Sequence, residues 1–351
     1  MSKRILIAPL NWGLGHATRC IPIINALKTN GFEPVVGSDG DALSLLKKEF
    51  PDLNFIKLPS YNITYPKKGT NLKFKLIVNT PKILNATKLE NEIVQRLVDK
   101  NEINGIISDN RFGVYNKNIP SVYLTHQLNV LSGNSTWLST KMHQRIINNF
   151  DECWVPDYKG NNNLSGILGH PENTSIPTKY IGPLSRFNKI ETPKKYNLLV
   201  LLSGPEPQRT LLEEKLFSEL RKYKENVVFI RGVIESEQQI ITQNNLKIYN
   251  YMTSTELETT INESELVLAR SGYTTVMDLS KLEKKAFFIP TPGQYEQLYL
   301  AKRLEEDNVV PFCNQENFNI NKLKDVKQFK GFSSIDNNTE YQKLFSLFQS
   351  K

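Results

Sequence analysis

The sequence is poor in cysteine and has no long apolar run, and both features restrict the class of protein. Its 351 residues include three cysteines, Cys20, Cys153 and Cys313, which lie far apart without Cys-x-x-Cys spacing. This argues against a disulfide framework or a zinc site. No segment approaches the ~18 apolar residues of a membrane-spanning helix, and residues 5–9 are too short an apolar stretch for a signal peptide. We therefore expect a cytoplasmic protein.

Internal repeats and low-complexity tracts are also missing. The hydrophobic content of 39% and the charged content of 23% are typical of a soluble globular chain, and the length allows two domains. The net charge of +8 favours an anionic ligand or surface. No nucleic-acid-binding motif accompanies this charge, so we expect no nucleic-acid partner.

Strand-like and helix-like segments alternate along the chain, which predicts an α/β fold with parallel sheets. We predict a first domain at 1–184, a linker at 185–196, a second domain at 197–335 and a C-terminal helix at 336–351. Strands are predicted at 4–9, 33–37, 54–58, 105–108, 121–125, 152–155, 197–202, 227–230, 247–249, 266–269, 286–289 and 309–312. Helices are predicted at 17–29, 42–50, 81–99, 135–148 and 339–349.

The most informative segment is 265–301, in which two strands each break into a polar turn and a helix. Parallel strands end at the same sheet edge, so both turns should bring their polar groups together. Backbone amides and the helix dipole at Ser271 and Gly272 suit a phosphate. Asp278 can accept hydrogen bonds from a ribose diol, and Glu296 and Gln297 can bind sugar hydroxyls. These groups predict a nucleotide-sugar site.

A second candidate site follows the first strand, in a loop with Gly13, Gly15 and His16. The third glycine of a dinucleotide fingerprint is missing. An imidazole with a pKa of about 6.5 can accept a hydroxyl proton at neutral pH, or His16 is simply a helix-end residue. Asp109 follows strand 105–108 at the same sheet edge, where it can orient the imidazole or cap the next helix.

Other polar residues have less certain roles. Arg19 either contacts a diphosphate or lies on the surface, and His126 either lines an acceptor pocket or is structural. His143 and His170 are predicted at the surface. Asp39-Gly40-Asp41 mimics the Asp-x-Asp of metal-dependent transferases, but helix capping explains it better. We predict neither a metal nor a cofactor.

Segment 265–301 resembles the donor-binding half of GT-B glycosyltransferases, in particular family 28, that of the peptidoglycan-precursor GlcNAc transferase. Arg270, Ser271 and Gly272 stand at its Arg-(Ser/Ala)-Gly turn, with Thr274 just beyond in the helix, and Asp278 stands at its ribose-binding acidic position. Glu296 and Gln297 match its sugar-reading positions. The family often continues Gln-x-x-Asn-Ala, whereas residues 297–301 read Gln-Leu-Tyr-Leu-Ala. The loop at 13–19 is similar to the Gly-x-Gly-His-x-x-Arg stretch of GT-B enzymes, in which the histidine faces the acceptor.

The resemblance implies two Rossmann-like domains facing a central cleft, with a terminal helix that often crosses back onto the first domain. It implies metal-independent transfer of a sugar from a nucleotide donor, UDP-linked, to an acceptor hydroxyl in cell-envelope glycan or glycolipid synthesis. Ser203 and Gly204 would contact the diphosphate, although Pro205 and Pro207 remove two donors there and Arg209 would restore charge. The backbone at Tyr251 and Met252 would read a uracil edge.

Two alternatives remain open. Residues 13–20 also resemble the Gly-x-Gly-His-x-x-Arg-Cys of UDP-sugar hydrolases in nonulosonic acid synthesis, in which water replaces the acceptor. A non-catalytic protein that binds a sugar nucleotide is the third reading. The sequence leaves the donor sugar, the acceptor and the stereochemical outcome undetermined.

The segment at 61–89 is basic and partly apolar. It contains no acidic residue but has six lysines at 67, 68, 73, 75, 82 and 88. Such a segment can lie on an anionic bilayer or form a solvated helix face. The first reading suits a lipid-linked acceptor and predicts a peripheral protein at the inner face of the cell membrane.

Overall fold

The structure is a computed structural model that describes residues 2–61, 72–131, 133, 136–204, 206–233, 235–333 and 339–349, without the side chains of 72–80. Much of the basic segment at 61–89, together with Pro205, lies outside this part. The strands are β1 (Arg4–Pro9), β2 (Glu33–Ser38), β3 (Asn54–Lys57), β4 (Gly105–Asp109), β5 (Ser121–Leu124), β6 (Glu152–Val155), β7 (Thr178–Tyr180), β8 (Tyr196–Leu201), β9 (Val227–Ile230), β10 (Ile240–Gln243), β11 (Leu246–Tyr249), β12 (Ser264–Ala269) and β13 (Lys285–Phe288). The α-helices are α1 (Gly15–Thr29), α2 (Gly40–Glu49), α3 (Leu72–Asp99), α4 (Thr136–Ile147), α5 (Gln208–Leu220), α6 (Ser254–Asn262), α7 (Tyr273–Lys281), α8 (Tyr295–Glu306) and α9 (Tyr341–Leu344).

The chain divides into two compact units. The first holds the described residues within Met1–Ile63, Leu76–Leu184 and Asp336–Lys351, and the second holds the rest. The stretch predicted as a linker bonds to the second unit: Ser185 Oγ donates to Asp278 at 2.7 Å, and Lys194 Nζ donates to the Asn262 carbonyl at 2.6 Å. These bonds make the stretch part of that unit's surface.

The first unit is built on a parallel sheet with strand order β3-β2-β1-β4-β5-β6-β7. Its central strands read as continuous apolar runs because helices cover both faces. On one side, Leu6, Val35 and Ile106 pack with Val94 of α3. The order of strands reverses direction at the β1–β4 pair, which is where α/β sheets open a crevice for ligands.

The second unit has a sheet with the order β10-β11-β9-β8-β12-β13, parallel except for the antiparallel β10–β11 pair. Val200, Phe229 and Leu268 form its core with Leu212 and Leu216 of α5. The strand order reverses at the β8–β12 pair. The two units therefore share one architecture.

The last described residues pack on the first unit. After α9, a 3₁₀ turn at Phe345–Phe348 buries both of its phenylalanines completely. The Phe345 ring lies 5.8 Å from that of Phe32, and the Phe348 ring lies 6.1 Å from Trp154. A Cβ added to Gly105 of β4 would lie 2.5 Å from the Phe348 ring. This segment is a component of the first unit's core.

The strand predicted at 309–312 is wrong. Phe312 makes only an isolated parallel bridge with Phe288. The pattern-based reading also missed β7 and β10, since β7 has three residues and β10 is an exposed edge strand without a buried face. The helix predicted at 81–99 extends back to Leu72, across Pro81.

Candidate active site

Two polar clusters lie at the sheet-order reversals, one in each unit. In the first unit, β1 and β4 end side by side, with Pro9 paired to Asp109 and the Leu10 amide donating to the Asp109 carbonyl at 3.0 Å. Gly13 adopts a φ of +80°, which lets the chain turn from β1 into α1. The turn brings His16, at the start of α1, to the Asp109 carboxylate.

The Asp109 carboxylate is the centre of the first cluster. His16 Nδ1 lies 2.9 Å from Asp109 Oδ1. Arg19, one turn along α1, donates from Nε to Asp109 Oδ2 at 2.7 Å and from Nη2 to Asp109 Oδ1. Arg19 is 2% exposed, so the prediction of a surface residue is wrong, and its guanidinium is bound within the protein. The structure also gives Asp109 a role other than capping.

Electrostatics set the protonation states of this cluster. Burial alone would raise the pKa of Asp109, but the Arg19 guanidinium and His16 outweigh it and hold this pKa well below its usual range. Burial lowers the pKa of His16, with Arg19 acting in the same direction and Asp109 against it. At neutral pH the cluster therefore pairs a carboxylate with a neutral imidazole. Both polar contacts of His16 within the described residues involve Nδ1, which lies 2.9 Å from Asp109 Oδ1 and 2.8 Å from Arg19 Nη2.

His126, which follows β5, joins the same cluster. Its Nδ1 accepts a hydrogen bond from Arg19 Nη1 at 3.0 Å, and the residue is 5% exposed. Cys20 Sγ lies 3.6 Å from Asp109 Oδ2 on the buried side of α1. The structure thus places His16, Asp109 and His126 around one arginine.

A second buried arginine, Arg111, was not predicted from the sequence. It donates to Asp39, to Glu90 Oε1 at 2.7 Å and to the carbonyls of Pro9 and Pro59, both at 3.0 Å. Asp39 occupies the N-cap position of α2, but its carboxylate binds Arg111 and makes no cap bond. The side chain of Asn11 accepts from the Ala42 amide instead. The capping prediction for Asp39 is therefore wrong in its side-chain role.

The prediction that His143 and His170 lie at the surface is wrong for His143, which is buried, whereas the His170 side chain is 18% exposed. His143 is 8% exposed, lies 3.0 Å from the Tyr123 hydroxyl, and has a pKa lowered to about 4 by burial. His170 Nε2 lies 3.1 Å from Asp157, and its ring stacks on Tyr180. Both contacts are made by residues distant in sequence, which a pattern cannot reveal.

The second cluster lies where β8 and β12 end in the other unit. Ser271 Oγ donates to the Gln297 carbonyl at 2.8 Å, and the Thr291 amide donates to Gln297 Oε1 at 2.8 Å. These bonds join the turn after β12 to the turn after β13, as the parallel strands predict. The Gln297 Nε2 group makes no hydrogen bond within the described residues and can donate to a ligand. Glu296 is partly exposed beside it.

The Arg270 guanidinium is bound to the protein interior. It donates to the carbonyls of Ile289, Pro290 and Gln208, and to Gln315 Oε1 at 2.8 Å. Burial lowers the pKa of Arg270 to about 9. The two terminal nitrogens of Arg270 fix the turn, while its buried Nε makes no hydrogen bond within the described residues.

Helix α7 begins at this turn with Gly272 as its N-cap residue, and the first bond of its ladder runs from the Val276 amide to the Gly272 carbonyl at 3.0 Å. Gly272 has a φ of −70°, and a Cβ added there would meet no atom within 4 Å. Neither backbone conformation nor packing requires glycine. The open space over the positive end of the helix dipole suits an anion that approaches the backbone closely.

Asp278 lies further along α7, with Thr274 between it and the turn. Its Oδ1 accepts from Ser185 Oγ at 2.7 Å, whereas Oδ2 makes no hydrogen bond within the described residues. Burial raises the pKa of Asp278 to about 6, although Arg186 and Ser185 act against the rise. A carboxylate with an unused oxygen can accept hydrogen bonds from a diol.

The loop after β8 supplies Ser203 and Gly204. Gly204 has a φ of +105° and open space where a Cβ would be. The Ser203 hydroxyl makes no hydrogen bond within the described residues. Arg209 does not supply free charge, because its guanidinium lies between Glu206 and Glu213. The positive potential here comes from helix termini.

The loop after β11 contains Tyr251 and Met252. The Tyr251 amide donates to Asn250 Oδ1 at 2.9 Å, and its carbonyl accepts from Gln238 Nε2 at 3.0 Å. The Tyr251 backbone is thus bound within the loop. The Met252 amide and carbonyl make no hydrogen bond within the described residues. Met252 also borders a cavity of about 310 Å³, whose other lining residues are Tyr249, Thr255, Glu256, Thr259 and Thr260.

The part of the chain that the structure describes contains no group of three or more His, Cys, Asp or Glu side chains that could hold a metal ion. The helices of that part also include none with the length and apolarity needed to span a bilayer.

Two Rossmann-like sheets with polar clusters at their reversal points are the architecture of the GT-B glycosyltransferase fold. Residues 206–337 match the model of the glycosyltransferase family 28 C-terminal domain. This match covers the whole segment at 265–301 on which the resemblance rested.

Curated relatives include UDP-N-acetylglucosamine–N-acetylmuramyl-(pentapeptide) pyrophosphoryl-undecaprenol N-acetylglucosamine transferases. That of Clostridium tetani is 24% identical over 88% of this chain and 84% of its own length. That of Haemophilus ducreyi is 23% identical over 60% of this chain, and the match spans only 58% of that relative.

Solved structures share the fold. Acinetobacter baumannii MurG superposes with a TM-score of 0.55 at 14% identity, covering 100% of both chains. The glycosyltransferase of kitacinnamycin superposes with a TM-score of 0.62 at 12% identity, covering 99% of this chain and 95% of the other. These comparisons confirm the predicted fold class and support a transferase; none of them supports the hydrolase.

Proposed function

We propose that this glycosyltransferase takes its sugar from a UDP-linked donor bound by the second unit. The observation that carries the proposal is the turn at Ser271 and Gly272, where open space lies over the start of α7. The diphosphate would lie against the Gly272 backbone and the Ser203-Gly204 loop. Asp278 Oδ2 would accept from the ribose diol, and Glu296 with the Gln297 amide would contact sugar hydroxyls.

Uracil recognition would come from backbone groups. The Met252 amide and carbonyl offer one donor and one acceptor next to the 310 Å³ cavity, a pattern that matches one edge of a uracil ring. The Tyr251 backbone cannot take this role because its two groups are already bonded. The curated relatives use a UDP sugar by name, which supports the same base.

In the transfer step His16 would act as general base. The acceptor hydroxyl gives its proton to His16 Nε2, its oxygen bonds to the anomeric carbon, and the bond from that carbon to the diphosphate breaks. Asp109 stabilises the resulting imidazolium. The leaving diphosphate would be stabilised by helix α7 and the Ser271-Gly272 turn without a metal ion.

The acceptor in this proposal is lipid-linked, and the chain would work at the inner face of the cell membrane. The relatives act on a pyrophosphoryl-undecaprenol compound by name. Helix α4 of the first unit supplies a surface: Trp137 is 73% exposed, and Leu138 and Met142 are each 53% exposed. Lys141 and Arg145 share that face, and α4 contains no acidic residue. An anionic bilayer matches both the charge and the apolar residues.

Donor binding is tested with Gly272→Ala. Alanine is compatible with a φ of −70° and meets no atom, so stability should not change, whereas the methyl group should obstruct the diphosphate. Calorimetric titration with UDP, GDP, ADP and TDP should show binding selective for UDP that weakens at least tenfold in Gly272→Ala. Lys281→Ala, at the other end of α7, is the matched control. Equal UDP affinity in the wild type and Gly272→Ala would reject this donor site.

The base is tested with His16→Ala. Transfer from UDP-sugars to a lipid extract should fall by at least a hundredfold, since general bases contribute about 10²–10⁴-fold, while UDP affinity stays the same. His143→Gln is the control, because that ring does not contact Asp109. Unchanged turnover in His16→Ala would reject the role.

A further inference from the structure

Arg19 contacts three members of the first cluster at once, Asp109, His16 and His126. Its guanidinium donates to both oxygens of Asp109 and also lies 2.8 Å from His16 Nδ1 and 3.0 Å from His126 Nδ1. The residue is almost fully buried. One planar group thus contacts two imidazoles and the carboxylate at the end of β4.

The contact with His126 determines where that ring carries its proton. A guanidinium only donates hydrogen bonds and stays charged at any accessible pH. His126 Nδ1, at 3.0 Å from Arg19 Nη1, must therefore accept and hold a lone pair. In a neutral ring the proton then lies on Nε2.

The contact with His16 leads to the opposite tautomer. His16 Nδ1 is close to Arg19 Nη2, which only donates, and to Asp109 Oδ1, which only accepts when ionised. Arg19 Nη2 already donates to Asp109 Oδ1. Both Arg19 Nη2 and His16 Nδ1 can donate to this one oxygen, and their 2.8 Å contact is then a contact between two donors that share an acceptor, not a hydrogen bond. His126 has no such carboxylate at its Nδ1 among these contacts. His16 therefore carries its proton on Nδ1 and its lone pair on Nε2.

We propose that Arg19 is a positioning residue which, together with Asp109, fixes His16 and His126 in opposite tautomers. His16 then has its lone pair on Nε2, and His126 has its proton on Nε2. The use of these two groups in transfer rests on the proposed function, since His16 is the base there. The tautomers themselves depend only on the cluster.

The geometry also explains why arginine is used. The planar guanidinium presents five donors from three nitrogens in a fixed fork, whereas the three donors of a lysine ammonium all leave from one nitrogen. Lysine could keep the charge beside Asp109 but could not bond to both carboxylate oxygens and to His126. Arg111, equally buried in the same unit, serves as a contrast, because its hydrogen bonds among the described residues go to two carboxylates and two carbonyls and to no imidazole.

The test measures tautomers directly. The chain has only four histidines, so ¹⁵N-histidine labelling yields four imidazole patterns in two-bond ¹H–¹⁵N spectra, assigned with His143→Gln and His170→Gln. At pH 7.5 the wild type should show His16 protonated at Nδ1 and His126 protonated at Nε2. In Arg19→Gln and Arg19→Lys the His126 pattern should shift to a mixture, while His16 keeps Nδ1–H through Asp109. Arg145→Gln, an exposed arginine of the same unit, should change nothing.

Two results would overturn the proposal: His126 protonated at Nδ1 in the wild type, or an unchanged His126 pattern in folded Arg19→Gln and Arg19→Lys. Unchanged His143 and His170 signals establish that a variant is folded. If neither variant folds, the wild-type tautomers still decide the assignment. Because no turnover is measured, opposite tautomers without UDP binding would reject the proposed function and keep this inference.

Discussion

Arg111 and its two carboxylate partners form a buried ion network that is stable only while all of its charges are paired. Arg111 and Glu90 are fully buried, and Asp39 is nearly so. Burial raises the pKa of Glu90 even though Arg111 acts against this. Removing a single member of such a network leaves an unpaired charge, which costs more than the network contributes as a whole.

We therefore expect Arg111→Met to lower the free energy of unfolding of the first unit by about 3–5 kcal/mol. All three tryptophans, Trp12, Trp137 and Trp154, belong to that unit, so tryptophan fluorescence during urea unfolding reports on it selectively. Arg96→Met, on the exposed side of α3, is the control. A loss below 1 kcal/mol would show that water reaches the network.

At a pH above the pKa of its carboxyl group, Asp278 should reduce the stability of the unliganded second unit. Because its folded-state pKa is raised to about 6, folding favours the protonated form. This contribution is fully present below the unfolded pKa and is lost as the pH rises to 6 and beyond.

Asp278→Asn should thus be about as stable as wild type at pH 4 and more stable at pH 8, by at most about 3 kcal/mol from 1.36 kcal/mol per pKa unit. Urea unfolding followed by far-UV circular dichroism measures the stability of the second unit, because tryptophan fluorescence identifies the transition that belongs to the first unit. Asp325→Asn, exposed in the same unit, should show no such dependence. A pH-independent difference for Asp278→Asn would contradict the expectation.

Some contacts of the candidate site could be predicted from the sequence, and others could not. His16 and Asp109 follow strands that end at one sheet edge, so their proximity follows from the α/β pattern. Arg19 looked ambiguous because helix periodicity does not tell which face of α1 meets Asp109. The role of Gln297 in joining two turns depends on backbone partners, which no residue pattern encodes.

At the scale of elements, buried strands were predicted well and edge elements poorly. β1, β6 and β9 have the predicted bounds because continuous apolar runs flanked by polar turns have few other solutions. β10 pairs only with β11 and is exposed along its length, so it lacks the signal of a buried face. Residues Ile320–Gln328 form a 3₁₀ helix in a stretch for which no element was predicted.

Helix α4 has two faces with different partners. His143 and Ile147 face the protein, whereas residues 137, 138, 141, 142 and 145 share the outer face at helical spacing. The Lys141 ammonium lies 5.1 Å from the centre of the Trp137 ring, a combination suited to the headgroup region of a bilayer.

Replacing Trp137, Leu138 and Met142 by serine should reduce binding to vesicles of phosphatidylglycerol and phosphatidylcholine at least tenfold in a sedimentation assay. Lys141→Gln should weaken binding about fivefold, as each basic residue near the surface contributes about 1 kcal/mol. Ile240→Ser, an exposed apolar position of the second unit, is the control. Equal sedimentation of the triple variant would exclude α4 as the membrane contact.

At the scale of the whole molecule, the first unit is assembled from distant parts of the chain. Phe345 and Phe348 fill its core beside Phe32, Gly105 and Trp154. Phenylalanine-to-alanine changes in a core cost about 3–5 kcal/mol each. We expect Phe345→Ala to lower the temperature of the tryptophan fluorescence transition without moving the unfolding of the second unit. Phe318→Ala, in the second unit's core, should do the reverse, and any other pattern would mean that the two units unfold together.

The position of these phenylalanines also sets an order of events during synthesis. Most of the first unit emerges from the ribosome before residue 185, yet its core lacks two rings until the entire second unit has been translated. Domains usually fold in the order in which they are made. Here the second unit can complete its core first. Until Phe345 and Phe348 have been made, the apolar groove that they fill beside β4 stays exposed in the first unit. A chaperone that shields this groove, or slow translation before residue 345, would affect the yield of folded protein more than any change in the finished structure.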